Sequence, residues 1–187
     1  MLTNDDDMAG QIRRMRSHGV ERNASLLTNN DGPWYYEMSE LNYNCRITDF
    51  QCALGKSQLK RLPYFKQRRW EIVARYNEAF REFNQLILPP VPEGSSVCYH
   101  LYPVQFLGGK HIRYEVFHRL WKVNIFCQVH YIPVYWQPYY SRKYEFPVGK
   151  CPNAEQYYSR CLSLPLYPAL TDEEVDYIIE SVVDCLR

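Results

Sequence analysis

The sequence lacks the run of about 18 apolar residues that a membrane-spanning helix requires, and it has almost no excess of charge of either sign. Its 22 Lys and Arg residues face 21 Asp and Glu residues, for a formal net charge of +1. Because such a balance attracts neither nucleic acid nor an anionic membrane strongly, we expect no partner of either kind. The N-terminus, MLTNDDDMAGQ, is acidic and polar and lacks the features of a signal or transit peptide, so we expect a cytoplasmic protein.

The common motifs of catalysis and metal binding are also missing. The sequence contains no G-x-G-x-x-G, P-loop, G-x-S-x-G or H-E-x-x-H pattern, so these patterns predict no catalytic group. Its seven cysteines form no C-x-x-C pair and its five histidines form no H-x-x-x-H pair. A metal site is therefore not predicted, and the cysteines are expected to be buried, reduced thiols that pack as small apolar groups.

Two helical segments are predicted in the first part of the chain. Residues 5–17 carry an apolar stripe and an acidic first turn, and Gly19 is expected to end this helix. Thr48 and Gln51 have the spacing of a capping box. A long helical pattern therefore begins near Thr48, and it forms either one helix with a break near Pro63 or two helices.

Asn44 and Arg46 stand just before that helix start, in a stretch predicted to be extended. The first N–H groups of a helix are free and the helix dipole is positive at this end, so such a place suits contacts with an anion. The residues alone therefore indicate an anion site near Asn44 and Arg46. The structural alternative is that Asn44 only satisfies the backbone of a turn and that Arg46 is only a surface charge beside the helix.

A proline-rich stretch, NQLILPPVPEGSSV, divides the chain into residues 1–83, a linker at 84–97 and a C-terminal part at 98–187. The C-terminal part alternates between strand and helix patterns, which predicts an α/β fold class with a small α+β domain at the C-terminal end. Strands are expected at 97–106, where Pro103 indicates an edge or a bulge, and at 125–132; helices are expected at 112–122, at 154–164 and after a capping box formed by Thr171 and Glu174.

Four segments occur in the same order in one known family: RSHG at 16–19, LNYNCRITDFQCALGKSQLKRL at 41–62, QVHYIPVYWQPYY at 128–140 and LSLPLYPALTDEEVDYII at 162–179. On these segments the chain resembles, over essentially its whole length, the DegT/DnrJ/StrS sugar aminotransferases, which use pyridoxal 5'-phosphate (PLP). The resemblance is greatest to members that make precursors of pseudaminic acid. It implies the C-terminal portion of an aspartate-aminotransferase-like enzyme of fold type I. The implied reaction transfers an amino group from glutamate to the C4 keto group of a UDP-4-keto-6-deoxy-HexNAc.

The resemblance also implies parts that this sequence does not contain. The lysine that bonds covalently to PLP and the aspartate that pairs with its ring nitrogen precede the matching region, and Ser17-His18 is followed by Gly19 rather than by the needed lysine. We therefore expect a fragment that is inactive alone and exposes Phe50, Leu54 and Trp70. The alternatives are one half of a split enzyme that assembles with a separate N-terminal half, or a non-catalytic binding or structural module. Whether the intact relative is a transaminase or a dehydratase stays open.

Two cofactor-binding residues follow from the resemblance. Family members are homodimers, and the Asn of an Asn-Tyr-Arg motif reaches the PLP phosphate of the partner subunit; here that residue is Asn44. Arg46 matches the Arg of the motif and is expected to meet anionic groups of the substrate or the donor, for which a planar guanidinium is well suited. Cys45 replaces the usual aromatic residue between them.

Five substrate-binding residues are implied in the same way. Arg16 and His18 match a segment near the active site, and His130 and Tyr131 match a His-Tyr pair at the sugar pocket. Tyr139 is a further candidate. Each assignment has a structural alternative. The segment with Arg16 and His18 could simply end a helix, and His130 could be a strand histidine whose hydrogen bonds are made to the backbone. Any one of the 17 tyrosines could be an ordinary packing residue.

Overall fold

The computed structural model describes residues 2–91 and 94–187, which form two compact units, Met1–Lys60 and Arg61–Arg187. The division falls inside a long helix. The linker predicted at 84–97 includes residues 92 and 93, which lie outside the described residues, so the three-part division of the sequence remains a proposal. Within the described residues no helix is long and apolar enough to cross a membrane.

The first unit contains helix α1 (Asp6–Met15), a two-residue strand pair, β1 (Val20–Glu21) and β2 (Glu37–Met38), and the start of helix α2 (Asp49–Phe80). Its residues bury almost nothing. Of the described residues up to 60, Gly19 alone is buried, so this unit has no hydrophobic core of its own.

Both helices of this unit begin where the sequence predicts. Asp5 caps α1 by accepting a hydrogen bond from the amide of Met8 at 3.0 Å. The capping box predicted at Thr48 is confirmed, because the Gln51 amide donates to the Thr48 hydroxyl at 3.3 Å and the Thr48 amide donates to the Gln51 side chain at 3.0 Å. From there α2 runs as one helix through Pro63, which settles the open choice between one helix and two.

The core lies in the second unit, around a three-stranded antiparallel sheet in the order β3-β4-β5. These strands are Leu86–Ile87, Tyr102–Phe106 and Cys161–Leu164. Alternate residues of β4 are buried, as expected for a strand with one face on the core. Pro103 lies in the central strand rather than at an edge, but β3 pairs only with residues 105 and 106, so β4 has a single neighbour at the proline. The missing N–H is tolerated there for that reason.

The further helices of this unit are α3 (Lys110–Lys122), α4 (Pro138–Tyr144), α5 (Pro152–Arg160) and α6 (Asp172–Leu186), with a 3-10 turn (Val134–Trp136) before α4. Helices α3 and α6 contribute buried residues to the core and α5 lies against β4, whereas every residue of α4 is exposed. Helix α6 begins with the predicted capping box of Thr171 and Glu174. The second half of α2 contributes Ile72, Val73, Tyr76 and Phe80 to the core. The Tyr76 hydroxyl donates to the carbonyl of Pro165 at 2.9 Å, so its polar end is satisfied where the ring is buried.

Two predictions for this unit are wrong. Residues 125–132 form no regular strand; Gln128 alone makes an isolated antiparallel bridge to Ser163. The helix predicted at 154–164 ends at Arg160, and the four residues that follow form β5, all of them buried. A short run buried on every side has no helical or alternating pattern, so its sequence does not distinguish the two structures.

Candidate functional site

The segments RSHG and NCR, separated by about 25 residues in the sequence, are paired in the first unit. Ser17 and Asn44 form an antiparallel bridge. On either side of it, the His18 amide donates to the carbonyl of Tyr43 and the Cys45 amide donates to the carbonyl of Arg16, each at 3.0 Å. The backbone therefore brings together four of the predicted site residues: Arg16, His18, Asn44 and Arg46.

This pairing depends on an unusual backbone at the end of α1. His18 and Gly19 both have positive φ, 61° and 68°. A Cβ at Gly19 would lie 2.0 Å from the carbonyl oxygen of Glu40, a distance no side chain could accept. Gly19 therefore does more than end a helix, because only glycine permits the close approach of the segment at residue 40.

Arg46 is held by Ser17, which lies in the RSHG segment but was not itself predicted to be a site residue. Nε of Arg46 donates to the hydroxyl of Ser17 at 3.2 Å, while Arg46 and Asn44 are both exposed. Helix α2 begins three residues after Arg46, so its free N–H groups and positive dipole end are close along the chain. An exposed amide, a guanidinium and a helix N-terminus form a donor set suited to an oxyanion. No local pattern marked Ser17, because its partner lies 29 residues away.

The second unit contains the other histidine that was predicted to be a site residue, His130. Nδ1 of His130 lies 2.8 Å from the hydroxyl of Ser163, which is 5% exposed. The bridge to Gln128 fixes Ser163, whose amide donates to the Gln128 carbonyl at 2.7 Å and whose carbonyl accepts from the Gln128 amide at 3.2 Å. Ser163 thus orients the imidazole of His130 and commits one of its ring nitrogens.

Tyr131 follows directly, after a cis peptide bond. Its ring stands edge-on to that of His130 at 4.5 Å between centroids and is largely exposed. Tyr139 lies on α4, edge-on to Tyr140 at 5.2 Å, with Nζ of Lys143 5.6 Å from its ring centroid. Within the described residues no hydrogen bond or ring contact joins Tyr139 to His130 or to Tyr131.

The cysteines correct one expectation. All seven are free, but four of them, Cys45, Cys52, Cys98 and Cys151, are exposed rather than buried. Burial raises the pKa of the Cys127 thiol to about 12, as expected for a thiol that acts as a core residue. The described residues contain no group of three or more His, Cys, Asp or Glu side chains that could hold a metal ion.

One known protein family matches almost the whole chain. The profile of the DegT/DnrJ/EryC1/StrS aminotransferase family matches residues 1–183. The chain belongs to this family. The resemblance expected from the four sequence segments is thereby confirmed.

Curated relatives of this chain are about twice its length. The spore coat polysaccharide biosynthesis protein SpsC of Bacillus subtilis (strain 168) is 39% identical over 190 residues, which cover all of this chain and 49% of SpsC. The UDP-4-amino-4,6-dideoxy-N-acetyl-beta-L-altrosamine transaminase of Helicobacter pylori is 31% identical over 98% of this chain and 46% of its own length. The chain therefore spans about half the length of the relatives it matches.

Solved structures agree. Helicobacter pylori PseC, an aminotransferase involved in the biosynthesis of pseudaminic acid, has a TM-score of 0.82 and 30% identity, covering 98% of this chain and 47% of PseC. Spr1654 of Streptococcus pneumoniae, in its pyridoxamine phosphate form, has a TM-score of 0.86 and 30% identity, covering 98% of this chain and 46% of Spr1654. This chain thus corresponds to the C-terminal part of the PLP-dependent aminotransferase fold, and the predicted fold class is confirmed.

PLP is the cofactor of this family, and Spr1654 has been solved in both PLP and pyridoxamine phosphate forms. The donor set around Asn44 and Arg46 fits the phosphate end of that cofactor, because it offers an amide, a guanidinium and helix amides to an oxyanion. When bound, PLP supplies an electron sink for amino transfer.

Proposed function

We propose that this chain forms the C-terminal part of a nucleotide-sugar aminotransferase that transfers an amino group from glutamate to the C4 keto group of a UDP-4-keto-6-deoxy-HexNAc. The family supports amino transfer on a sugar, and the similarity to the UDP-4-amino-4,6-dideoxy-N-acetyl-beta-L-altrosamine transaminase of Helicobacter pylori supports the choice of a UDP-linked sugar. One observation carries the assignment of the site: the bridge between Ser17 and Asn44 aligns two of the four segments on which the resemblance rests.

Each predicted residue has a separate task in this proposal. The Asn44 amide donates to the phosphate of PLP held by a partner polypeptide, and Arg46 binds an anionic group of the substrate or the donor. Arg16 and His18 lie beside them through the backbone pairing. The sugar pocket is lined by His130 and Tyr131, with Tyr139 as a further contact.

Catalysis requires protein groups beyond residues 1–187, for two reasons. None of the chain's lysines follows the motif that carries the covalent anchor of PLP in the family, and that anchor is also the proton carrier at the reacting carbon. In addition, the first unit exposes large apolar side chains, including Phe50 at 81% and Tyr43 at 82%, and none of its described apolar side chains is buried. Exposure on this scale is typical of a surface that another chain covers. A split enzyme that assembles with a separate N-terminal half therefore stands beside an inactive fragment as the second candidate.

The test is reconstitution. The N-terminal half of Bacillus subtilis SpsC, which this chain does not cover, is mixed with the purified chain and PLP, and the absorbance band of enzyme-bound PLP near ~420 nm is followed. We expect the two polypeptides to co-elute, and the mixture to release 2-oxoglutarate from glutamate when the UDP-4-keto sugar is added.

A matched pair of variants then tests the site. Asn44→Ala should weaken PLP binding by the mixture about tenfold, the loss of roughly one hydrogen bond to a charged group. Asn153→Ala removes an exposed amide from α5 and should change nothing. Equal effects of the two variants would refute the role of Asn44. A folded chain that binds neither PLP nor the SpsC half would favour a binding or structural module instead.

A further inference from the structure

A cavity of about 450 Å³ in the first unit is strongly basic. Four arginines line it, Arg13, Arg14, Arg22 and Arg46, against a single carboxylate, Glu21. Its volume lies within the range of small-molecule sites. A group of guanidinium groups around one concave surface raises the local concentration of anions.

The single carboxylate does not neutralise these cations. Oε1 of Glu21 accepts hydrogen bonds from the amides of Arg22 and Asn23, at 2.8 and 2.7 Å, and the bond from Asn23 lowers its pKa most. Glu21 is therefore ionised and already bonded to the backbone. Its only arginine partner within the described residues is Arg14, at 3.5 Å, which is longer than the ~2.8 Å of a strong charge-assisted bond.

The other three guanidinium groups lack an acidic partner in the part of the chain that the structure describes. Among residues 2–91 and 94–187, Arg13, Arg22 and Arg46 form no ion pair. Arg46 donates Nε to the Ser17 hydroxyl at 3.2 Å, and this contact leaves both terminal nitrogens of its planar fork for an oxyanion. Like charges in one cavity repel each other, and a bound anion would remove that cost.

The adjoining cavity has the opposite character. It shares Arg14 and Glu21 with the basic cavity but adds Asp6, Asp7 and Glu40. An anion is therefore favoured on one side of Arg14 and repelled on the other, which restricts where it can bind.

We propose that the cavity lined by Arg13, Arg14, Arg22 and Arg46 binds a phosphate oxyanion, either a single phosphate group or a diphosphate. The site is separate from the role proposed for Asn44. It shares Arg46 with the proposed function, in which Arg13, Arg14 and Arg22 have no role. A competing explanation needs no ligand: Arg13 and Arg14 stand in the last turn of α1, where cations complement the helix dipole, and the guanidinium of Arg22 lies 5.2 Å from the ring centroid of Tyr36.

The experiment is calorimetric titration of the full chain with sodium pyrophosphate at about 150 mM salt, where exposed charges are well screened. We expect saturable binding of one anion per chain. Arg13→Gln and Arg22→Gln should each weaken it about tenfold, the effect of losing roughly one charge-assisted hydrogen bond. Arg142→Gln is the control, because Arg142 is also an exposed arginine in the last turn of a helix and its loss changes the net charge equally.

The results separate the explanations. Equal weakening by Arg142→Gln, or unchanged affinity in both cavity variants, would overturn the proposal. If Arg13→Gln unfolds α1, Arg22→Gln still decides, since Arg22 lies outside that helix. Inorganic phosphate distinguishes the two sources: much weaker binding than pyrophosphate assigns a diphosphate, and similar binding assigns a single phosphate group. None of these titrations needs PLP or a partner polypeptide, so their failure leaves the reconstitution test of the proposed function intact.

Discussion

Replacing Gly19 by alanine should separate the two backbone segments that carry the candidate cofactor site. Gly19 has a φ of +68°, and an added Cβ would lie 2.0 Å from the carbonyl oxygen and 2.9 Å from the carbonyl carbon of Glu40. Both are main-chain atoms, so no change of rotamer relieves the overlap. Either the segment at residue 40 moves away or the turn at His18 and Gly19 changes its conformation.

The size of the effect has two parts. The left-handed backbone costs an L residue roughly 1 kcal/mol, and the forced shift costs about 1–3 kcal/mol more. The pairing should therefore weaken by ~2–4 kcal/mol. Because 1.4 kcal/mol is a factor of about ten in a population, the paired state should lose at least ~30-fold relative to the open state.

Amide hydrogen exchange measures this directly. The amides of His18, Ser39 and Cys45 donate to backbone carbonyls across the pairing, each at 3.0 Å, and their protection should fall by that factor. Gly94→Ala is the control, since Gly94 has a φ of +70° but open space around the new Cβ. It should leave the three amides unchanged. Undiminished protection in Gly19→Ala would refute the reasoning, and so would a wild-type chain in which these amides exchange freely.

Two further predictions concern single side chains. Ser163→Ala removes the partner of His130 Nδ1 and should destabilise the second unit by about 1 kcal/mol, measured by urea unfolding, while ¹⁵N spectra of His130 show a changed tautomer; a spectrum identical to wild type would contradict the positioning role. Glu37 accepts bonds from the Thr28 hydroxyl at 2.6 Å and the Thr28 amide at 2.8 Å, which lower its pKa from 4.5 to about 2. Since the folded pKa is depressed, its stabilisation of this loop is complete above pH ~4.5 and is lost as pH falls toward ~2. The amide shift of Thr28 should follow that titration, and Glu37→Gln should abolish it.

Local signals predicted helix starts well. Thr48 and Thr171 begin helices through capping boxes, because each box is complete within four residues and needs no tertiary information. The exposure of Phe50 and Leu54 was also predicted correctly. Trp70 was not: its Nε1 donates to the carbonyl of Val97 at 2.8 Å and its ring packs against the core. Its partner lies 27 residues away, beyond the reach of a helical pattern.

The strands were harder to predict because they also depend on partners that are distant in the sequence. The core strand CLSL has no alternation, because both of its faces are buried, and it follows a helix without any turn signal. The opposite failure occurred at 125–132, where a strand-like composition forms only the bridge from Gln128 to Ser163. Strand formation depends on a partner being available, and the sequence of one strand does not contain that information.

The candidate cofactor site combines both kinds of information. The position of Asn44 and Arg46 before α2 is local, and sequence alone indicated an anion site there. Their orientation is not local, because it depends on the bridge from Ser17 and on the absence of a side chain at Gly19. A glycine contributes here through the contact it permits with Glu40, so its role becomes visible only when the distant segment is in place. For that reason Gly19→Ala is a more informative test of the site than removal of Asn44. It leaves every side chain that is proposed to bind the cofactor or the substrate in place, and it changes only the backbone that positions them.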